Sequence, residues 1–282
     1  MSPTFRVAAV TSLAPILWGT TYLVTTELIP DGGPLQAATV RALPAGLALL
    51  ALTRTLPRGA WWWKSAVLGF LNIGAFFALL FVAAYRLPGG VAATLGAVHP
   101  LMVAVLAIVV LREVTRHRAI ASAIVGLSGV AMLVLTPNAA LDVWGATAAL
   151  LGGASTALGV ILTKKWGRPT GLLNFTAWQL VGGGLFLLIP MLMVEGVPSH
   201  LSATSAVGYA WLAFPGTAVA YAAWFYGIFR LPAPRVSILA FLAPLVATVL
   251  GWAVLGESLT PLQLVGAAVV VCSVWYGQKS SP

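Results

Sequence analysis

From Gly90 to Leu111 the chain runs GVAATLGAVHPLMVAVLAIVVL, twenty-two residues without an Asp, Glu, Lys or Arg. As a helix such a run rises about 33 Å, enough to cross the roughly 30 Å hydrocarbon core of a bilayer. Nine more runs of similar length lie along the chain, giving approximate spans 7–29, 34–53, 63–85, 90–111, 119–136, 143–163, 172–194, 206–229, 234–255 and 261–277. Inside lipid only helices and closed barrels satisfy their own backbone, and the short alternating segments of a barrel do not appear. The expected fold is an all-α integral membrane protein with ten transmembrane helices. Composition agrees, with 60% hydrophobic and 7% charged residues and a mean hydropathy of +0.98.

The first run reads as a retained helix. It is too long for a secretory signal, has only Arg6 ahead of it, and ends at Glu27 and Pro30 without a small-residue cleavage site. The linkers are too short to hold a soluble domain, so one membrane domain accounts for the whole chain. The single cysteine, Cys272, excludes an intrachain disulfide and a multi-cysteine metal site, and is expected to pack within the last helix. No metal and no cofactor is implied.

Charge supplies the topology. Every Lys and Arg except Arg41 and Arg86 falls at the N-terminus, at the C-terminus or in alternate linkers, while Glu27, Asp31, Asp142, Glu195 and Glu257 lie on the other side. This positive-inside bias predicts that both termini face the cytoplasm. It also explains the net charge of +9 through anionic lipid, which makes nucleic acid an unneeded partner.

A repeat is visible across these spans. Laid ungapped at an offset of 144, residues 86–114 and 230–258 agree at eleven of 29 positions, among them Arg86/Arg230, Pro88/Pro232, Pro100/Pro244 and Glu113/Glu257. Phe77 then pairs with Tyr221, Phe81 with Phe225 and Tyr85 with Phe229. A second match, RALPAGLALL at 41–50 against QLVGGGLFLL at 179–188, uses an offset of 138. The chain is expected to be two five-helix repeats, 1–138 and 139–282. Five is odd, so the second repeat enters the membrane from the opposite face, and the pair is inverted around a central cavity, as in carriers with alternating access. Pro88 and Pro232 punctuate the link before the fourth helix of each repeat, while Pro100 and Pro244 remove a backbone hydrogen bond within it and are read as helix-bending.

The stretches LWGTTYLV (17–24), TVRALPAG (39–46), 86–114 and 230–271 together resemble the drug/metabolite transporter superfamily, specifically its EamA-type members. The resemblance spans nearly the whole chain. It implies a basket of helices around a central cavity with the fifth helix of each repeat peripheral. Within the family the chain is similar to inner-membrane exporters of amino acids, including YddG-like exporters of aromatic amino acids and cationic drugs. An exporter of amino acids and related metabolites, facilitative in mechanism, is therefore expected. A different metabolite substrate or proton coupling is the alternative.

Ionisable groups inside a membrane are functional candidates by default. Arg41 lies about two turns into the second span and has two readings: a fork for a substrate carboxylate, or a structural arginine bonded to helix ends. His99 either touches substrate or is a hydrogen-bonded structural histidine. No Asp or Glu sits at the middle of a span, which disfavours a carboxylate proton relay. Neutral candidates are Trp18 and Tyr22 on the first helix, Asn72 and Phe76 on the third, Trp178 and Gln179 on the seventh, and Tyr221, Trp224 and Phe225 on the eighth. Together they suggest an aromatic-lined pocket suited to aromatic amino acids or a cationic drug. The bland reading is that the rings pack or face lipid. Trp61, Trp62, Trp63, Trp144, Trp166, Trp275 and Tyr276 belong to interfacial belts. Gly152-Gly153, Gly182-Gly183-Gly184 and the pair Ser122 and Gly126 predict close helix approach, and such stripes also suit a homodimer contact. A channel would want a polar ring, and an enzyme a His/Asp/Glu cluster, a GxSxG elbow or an HExxH helix; the chain has none of these.

Overall fold

A computed structural model of the chain describes residues 3–29, 33–87, 89–113, 117–135, 142–197 and 201–279. Its described residues form ten helical segments and no strand: α1 (Pro3–Leu28), α2 (Pro34–Thr53), α3 (61–86), α4 (89–111), α5 (His117–Val134), α6 (Val143–Trp166), α7 (Leu172–Val194), α8 (203–228), α9 (Ala233–Leu255) and α10 (Pro261–Gln278). Nine of them are long and apolar enough to cross a membrane. The remaining one, α8, carries Tyr209, Trp211, Pro215, Gly216, Thr217, Tyr221 and Trp224, which lower its hydropathy. Several ends are set by capping: Asp142 accepts from the Gly145 N–H at 2.6 Å, and Thr260 and Gln263 form a capping box at α10. Pro88, Asp31 and Arg116, and the side chains of Phe81 and Tyr85, lie outside what is described.

Packing follows the repeat. Helix α2 packs on α7 and α5 on α10, each pairing one helix with its repeat-mate; α3 packs on α6 as α8 packs on α1, and α4 on α6 as α9 on α1. This is the two-repeat arrangement anticipated from the offset. Local backbone repeats it too. Turns widen to π geometry at Phe70–Gly74 in α3 and Phe214–Val219 in α8, 144 residues apart. The ends of α4 and α9 both close through a left-handed residue, Arg112 at φ 54° and Gly256 at φ 70°. In each case the following glutamate N–H, of Glu113 or Glu257, reaches back at 3.1 Å to the carbonyl of Ala107 or Gly251.

Both proline sites interrupt their helices. Helix α4 opens into a turn at Ala97 and Val98 and resumes at His99, with Pro100 in the new first turn; α9 tightens to a 3₁₀ turn at Leu239–Phe241 just before Pro244. A proline ring lacks the N–H and crowds the carbonyl four residues back, so the break falls just ahead of it. Helix α1 is also broken, at Thr20, whose N–H and hydroxyl both bond the Leu17 carbonyl. On either side of that break Trp18 is half-buried and Tyr22 is 54% exposed.

Glycines decide how closely α2, α3 and α7 approach. A Cβ on Gly46 would lie 2.6 Å from the Val181 backbone N, and one on Gly183 2.6 Å from the Gly69 carbonyl. Gly126 similarly faces the Phe241 ring, and Ser273 donates to the Ser122 carbonyl at 2.7 Å. Gly152 and Gly153 differ from the expectation, since their nearest neighbours would stand at 3.4 and 3.6 Å, ordinary contact. Gly46→Ala is expected to lower stability by about 1–3 kcal/mol through overpacking against backbone that cannot yield, whereas Gly153→Ala is tolerated. Thermal unfolding in detergent checks both, and equal melting temperatures would contradict the close approach. Cys272 is exposed on the outside of α10, so it does not pack against the protein as expected.

Candidate functional site

The middle of the bundle holds two polar crossings. In the first, Asn72 of α3 donates through Nδ2 to Gln179 Oε1 of α7 at 2.8 Å and to Thr163 Oγ1 of α6 at 3.4 Å. In the second, Arg41 of α2 donates through Nε to Thr217 Oγ1 at 3.0 Å and through Nη2 to the Gly216 carbonyl at 2.9 Å, both on α8. These crossings are repeat-mates. Arg41 corresponds to Gln179 at the offset of 138, and Gly216 to Asn72 at the offset of 144. Each involves a π-type turn, where backbone carbonyls fall out of the usual ladder and need partners inside a low-dielectric bundle. Side chains supply them: Ser155 donates to the Leu71 carbonyl at 2.8 Å, Tyr221 to the Asn72 carbonyl at 3.2 Å, and Arg41 to Gly216.

Arg41 is thus partly structural. Its guanidinium also lies over the Phe77 ring, 5.1 Å from the centroid. It is only 7% exposed, and it forms no ion pair among the described residues. Nη1 has no hydrogen-bond partner there either. Removing a cation from water without a counter-charge costs several kcal/mol, so a buried arginine satisfied only by a hydroxyl, a carbonyl and a ring still favours an anion.

Aromatic side chains continue from these crossings. Trp18 meets Tyr221 at 5.4 Å and Trp224 at 5.2 Å between centroids, and Tyr221 meets Phe225 at 5.8 Å. Phe225 is fully buried against Phe175, 5.4 Å away, and serves as scaffold. Asn72 and Phe76 both face α6, beside Gly159 and Gly152. The structure therefore brings Trp18, Arg41, Asn72, Phe76, Gln179, Tyr221, Trp224 and Phe225 into one region.

Three candidates stand apart from it. Tyr22, past the α1 break, is 54% exposed and makes no ring contact with that region among the described residues. Trp178 donates its indole N–H to the Thr55 carbonyl at 2.7 Å, on the linker after α2. Gln179, by contrast, is directed to Asn72, so the two neighbours bond to different elements. His99 faces Gly153 of α6, with its Nε2 buried and unpartnered.

A third polar cluster sits at the end of the bundle that carries both termini, where Phe5 and Trp275 line one groove. Lys164, at the end of α6, pairs with Glu113 Oε1 at 2.8 Å and donates to the Leu231 carbonyl, while Glu113 Oε2 accepts from the Ala233 N–H at 3.2 Å. Three elements meet there: the ends of α4 and α6 and the start of α9. The sequence shows Glu113 as the repeat-mate of Glu257 but gives no sign of Lys164 as its partner. Glu257, the repeat-mate of Glu113, forms no ion pair with a described residue.

A two-repeat membrane bundle with polar crossings and rings at its middle belongs, by class, to the multi-pass solute transporters. Residues 6–135 and 143–276 each match the EamA-like transporter family. The chain belongs to that family. It is 45% identical over 259 residues to Protein PecM of Dickeya dadantii (strain 3937), covering 91% of this chain and 87% of that one. It is 29% identical over 247 residues to a protein of Streptantibioticus cattleyicolor described as a probable terminal-alkyne amino-acid exporter, covering 86% and 82%. A solved crystal structure superposes with a TM-score of 0.84 over 96% of both chains at 17% identity, which is a likeness of fold.

Proposed function

We propose that this protein exports amino acids and related small carboxylate-bearing metabolites across the cytoplasmic (inner) membrane by alternating access, without a coupling ion. The repeats 1–138 and 139–282 are the two moving halves, and both termini face the cytoplasm, as the distribution of Lys and Arg indicates. In this reading the Glu113, Lys164 and Ala233 cluster closes the cytoplasmic end, and substrate leaves from the opposite end. Arg41 carries the reading: a guanidinium buried between α2 and α8, with no acid beside it among the described residues, takes a substrate carboxylate, while Trp18 and Tyr221 offer ring faces to an apolar side chain. The description of the Streptantibioticus relative as an amino-acid exporter supports the substrate class.

Counterflow in proteoliposomes tests it. Vesicles loaded with unlabelled tryptophan, phenylalanine or threonine are expected to accumulate the labelled amino acid transiently, as a carrier does and a channel does not. Uptake equal to empty vesicles for all common amino acids would count against the proposal. His99, with its buried free Nε2, favours a proton-linked variant as the second reading. Sustained uphill uptake driven by a pH gradient would select it over facilitated exchange.

A further inference from the structure

The charge inventory of the interior narrows the substrate class. Each described acid has its own place away from Arg41. Glu195 accepts the Leu35 and Gln36 N–H groups at 2.9 and 2.8 Å, holding the start of α2. Asp142 caps α6 and pairs with Arg86, and Glu113 is held by Lys164 and Ala233. Glu27 and Glu257 are exposed at helix ends. The interior of the described bundle therefore carries one cation and no anion. Gln179 Nε2, at the Asn72 crossing, is buried without a partner, and so is His99 Nε2, which lies apart from it against α6.

From this, and resting on the proposed carrier function, we infer that the transported class is organic anions with an uncharged, planar or apolar body, and that organic cations are excluded. The carboxylate sits on Arg41 Nη1, where the bound pair is neutral. The body lies against Trp18 and Tyr221. An ammonium group on the substrate meets no carboxylate, so a zwitterion is accepted less well than the matching anion. An amine or bipyridinium confronts a like charge in a medium where Coulomb repulsion is only weakly screened. The Phe77 ring is already covered by the Arg41 guanidinium.

Four probes built on one ring separate the charges: indole-3-acetate (anion), tryptophan (zwitterion), indole-3-acetamide (neutral) and tryptamine (cation). Equilibrium binding to the purified full chain is measured by calorimetry, and transport by counterflow. Indole-3-acetate is expected to bind about tenfold or more tightly than indole-3-acetamide, with tryptamine weakest, as befits a charge-assisted hydrogen bond in a buried site. In Arg41→Gln the difference between acid and amide is expected to shrink to within about twofold. If that variant does not fold, Arg41→Lys must keep the order of the probes with a smaller spread, because it retains the charge and loses the fork. Tryptamine binding as well as indole-3-acetate, or no binding by any probe, overturns the inference. Binding in the expected order without counterflow supports it and refutes the carrier function instead.

Discussion

Lys164→Met is expected to loosen the end of the bundle that carries the termini, raising its open population by roughly tenfold. The substitution removes the cation from a partly buried carboxylate and the donor from the Leu231 carbonyl, leaving Glu113 with only the Ala233 N–H. A loss of about 1–2 kcal/mol fits a pair that is neither fully exposed nor fully buried, and 1.4 kcal/mol is a factor of ten in a two-state ratio. The reporter is Ser237→Cys in a Cys272→Ser background. Ser237 is fully buried one turn into α9, on a segment that packs against α4 and α5. Its labelling by a membrane-impermeant maleimide from the terminal side should rise about tenfold with Lys164→Met, and counterflow should slow. Exchanging the charges, Glu113→Lys with Lys164→Glu, is expected to restore only part of the closure, because the new acid no longer lies against Ala233. Labelling that ignores Lys164→Met would mean the cluster is not a closure.

Trp18→Ala is expected to cut transport of an aromatic substrate at limiting concentration by roughly 30-fold or more. A ring face lost from a binding site removes about 1.5–3 kcal/mol of burial, plus about 0.5–1.5 kcal/mol from ring pairing. Trp18 is half-buried, so its truncation costs the fold less than that of Trp224, which is 5% exposed. Trp224→Ala is expected to lower stability by about 3–5 kcal/mol. Transport is therefore best compared between Trp18→Ala and Trp224→Phe, with protein yield and melting temperature recorded for both. Wild-type rates in Trp18→Ala, with an aromatic substrate, would take the rings out of the site.

Particular residues show how far the sequence reaches. The bend at Pro100 was legible because a missing N–H acts within one turn. The repeat-mates Glu113 and Glu257 were legible because identity at a fixed offset needs no coordinates. Arg41 was visible as a charge within an apolar run, but its two readings could not be separated there. Its partners, Thr217 and Gly216, stand on a helix far along the chain. The signal that could have found them was the repeat itself, since Arg41 aligns with Gln179 and Gly216 with Asn72. The break at Thr20 was not legible, because without a proline at that position it leaves no periodic mark.

Hydrophobic run length, charge placement and the offset between repeats are properties of the chain read in one dimension. They fixed a membrane-spanning chain of ten apolar helical runs in two related halves, because a bilayer rewards each twenty-residue stretch separately. Which polar groups remain free was settled only in three dimensions. A π-type turn in α8 and another in α3 draw Arg41, Tyr221 and Asn72 into backbone bonds, while Arg41 Nη1, Gln179 Nε2 and His99 Nε2 are left over. Hydrogen bonding between distant segments, unlike hydrophobic burial, depends on angles and on distances of about 3 Å, and no residue carries those in its identity alone.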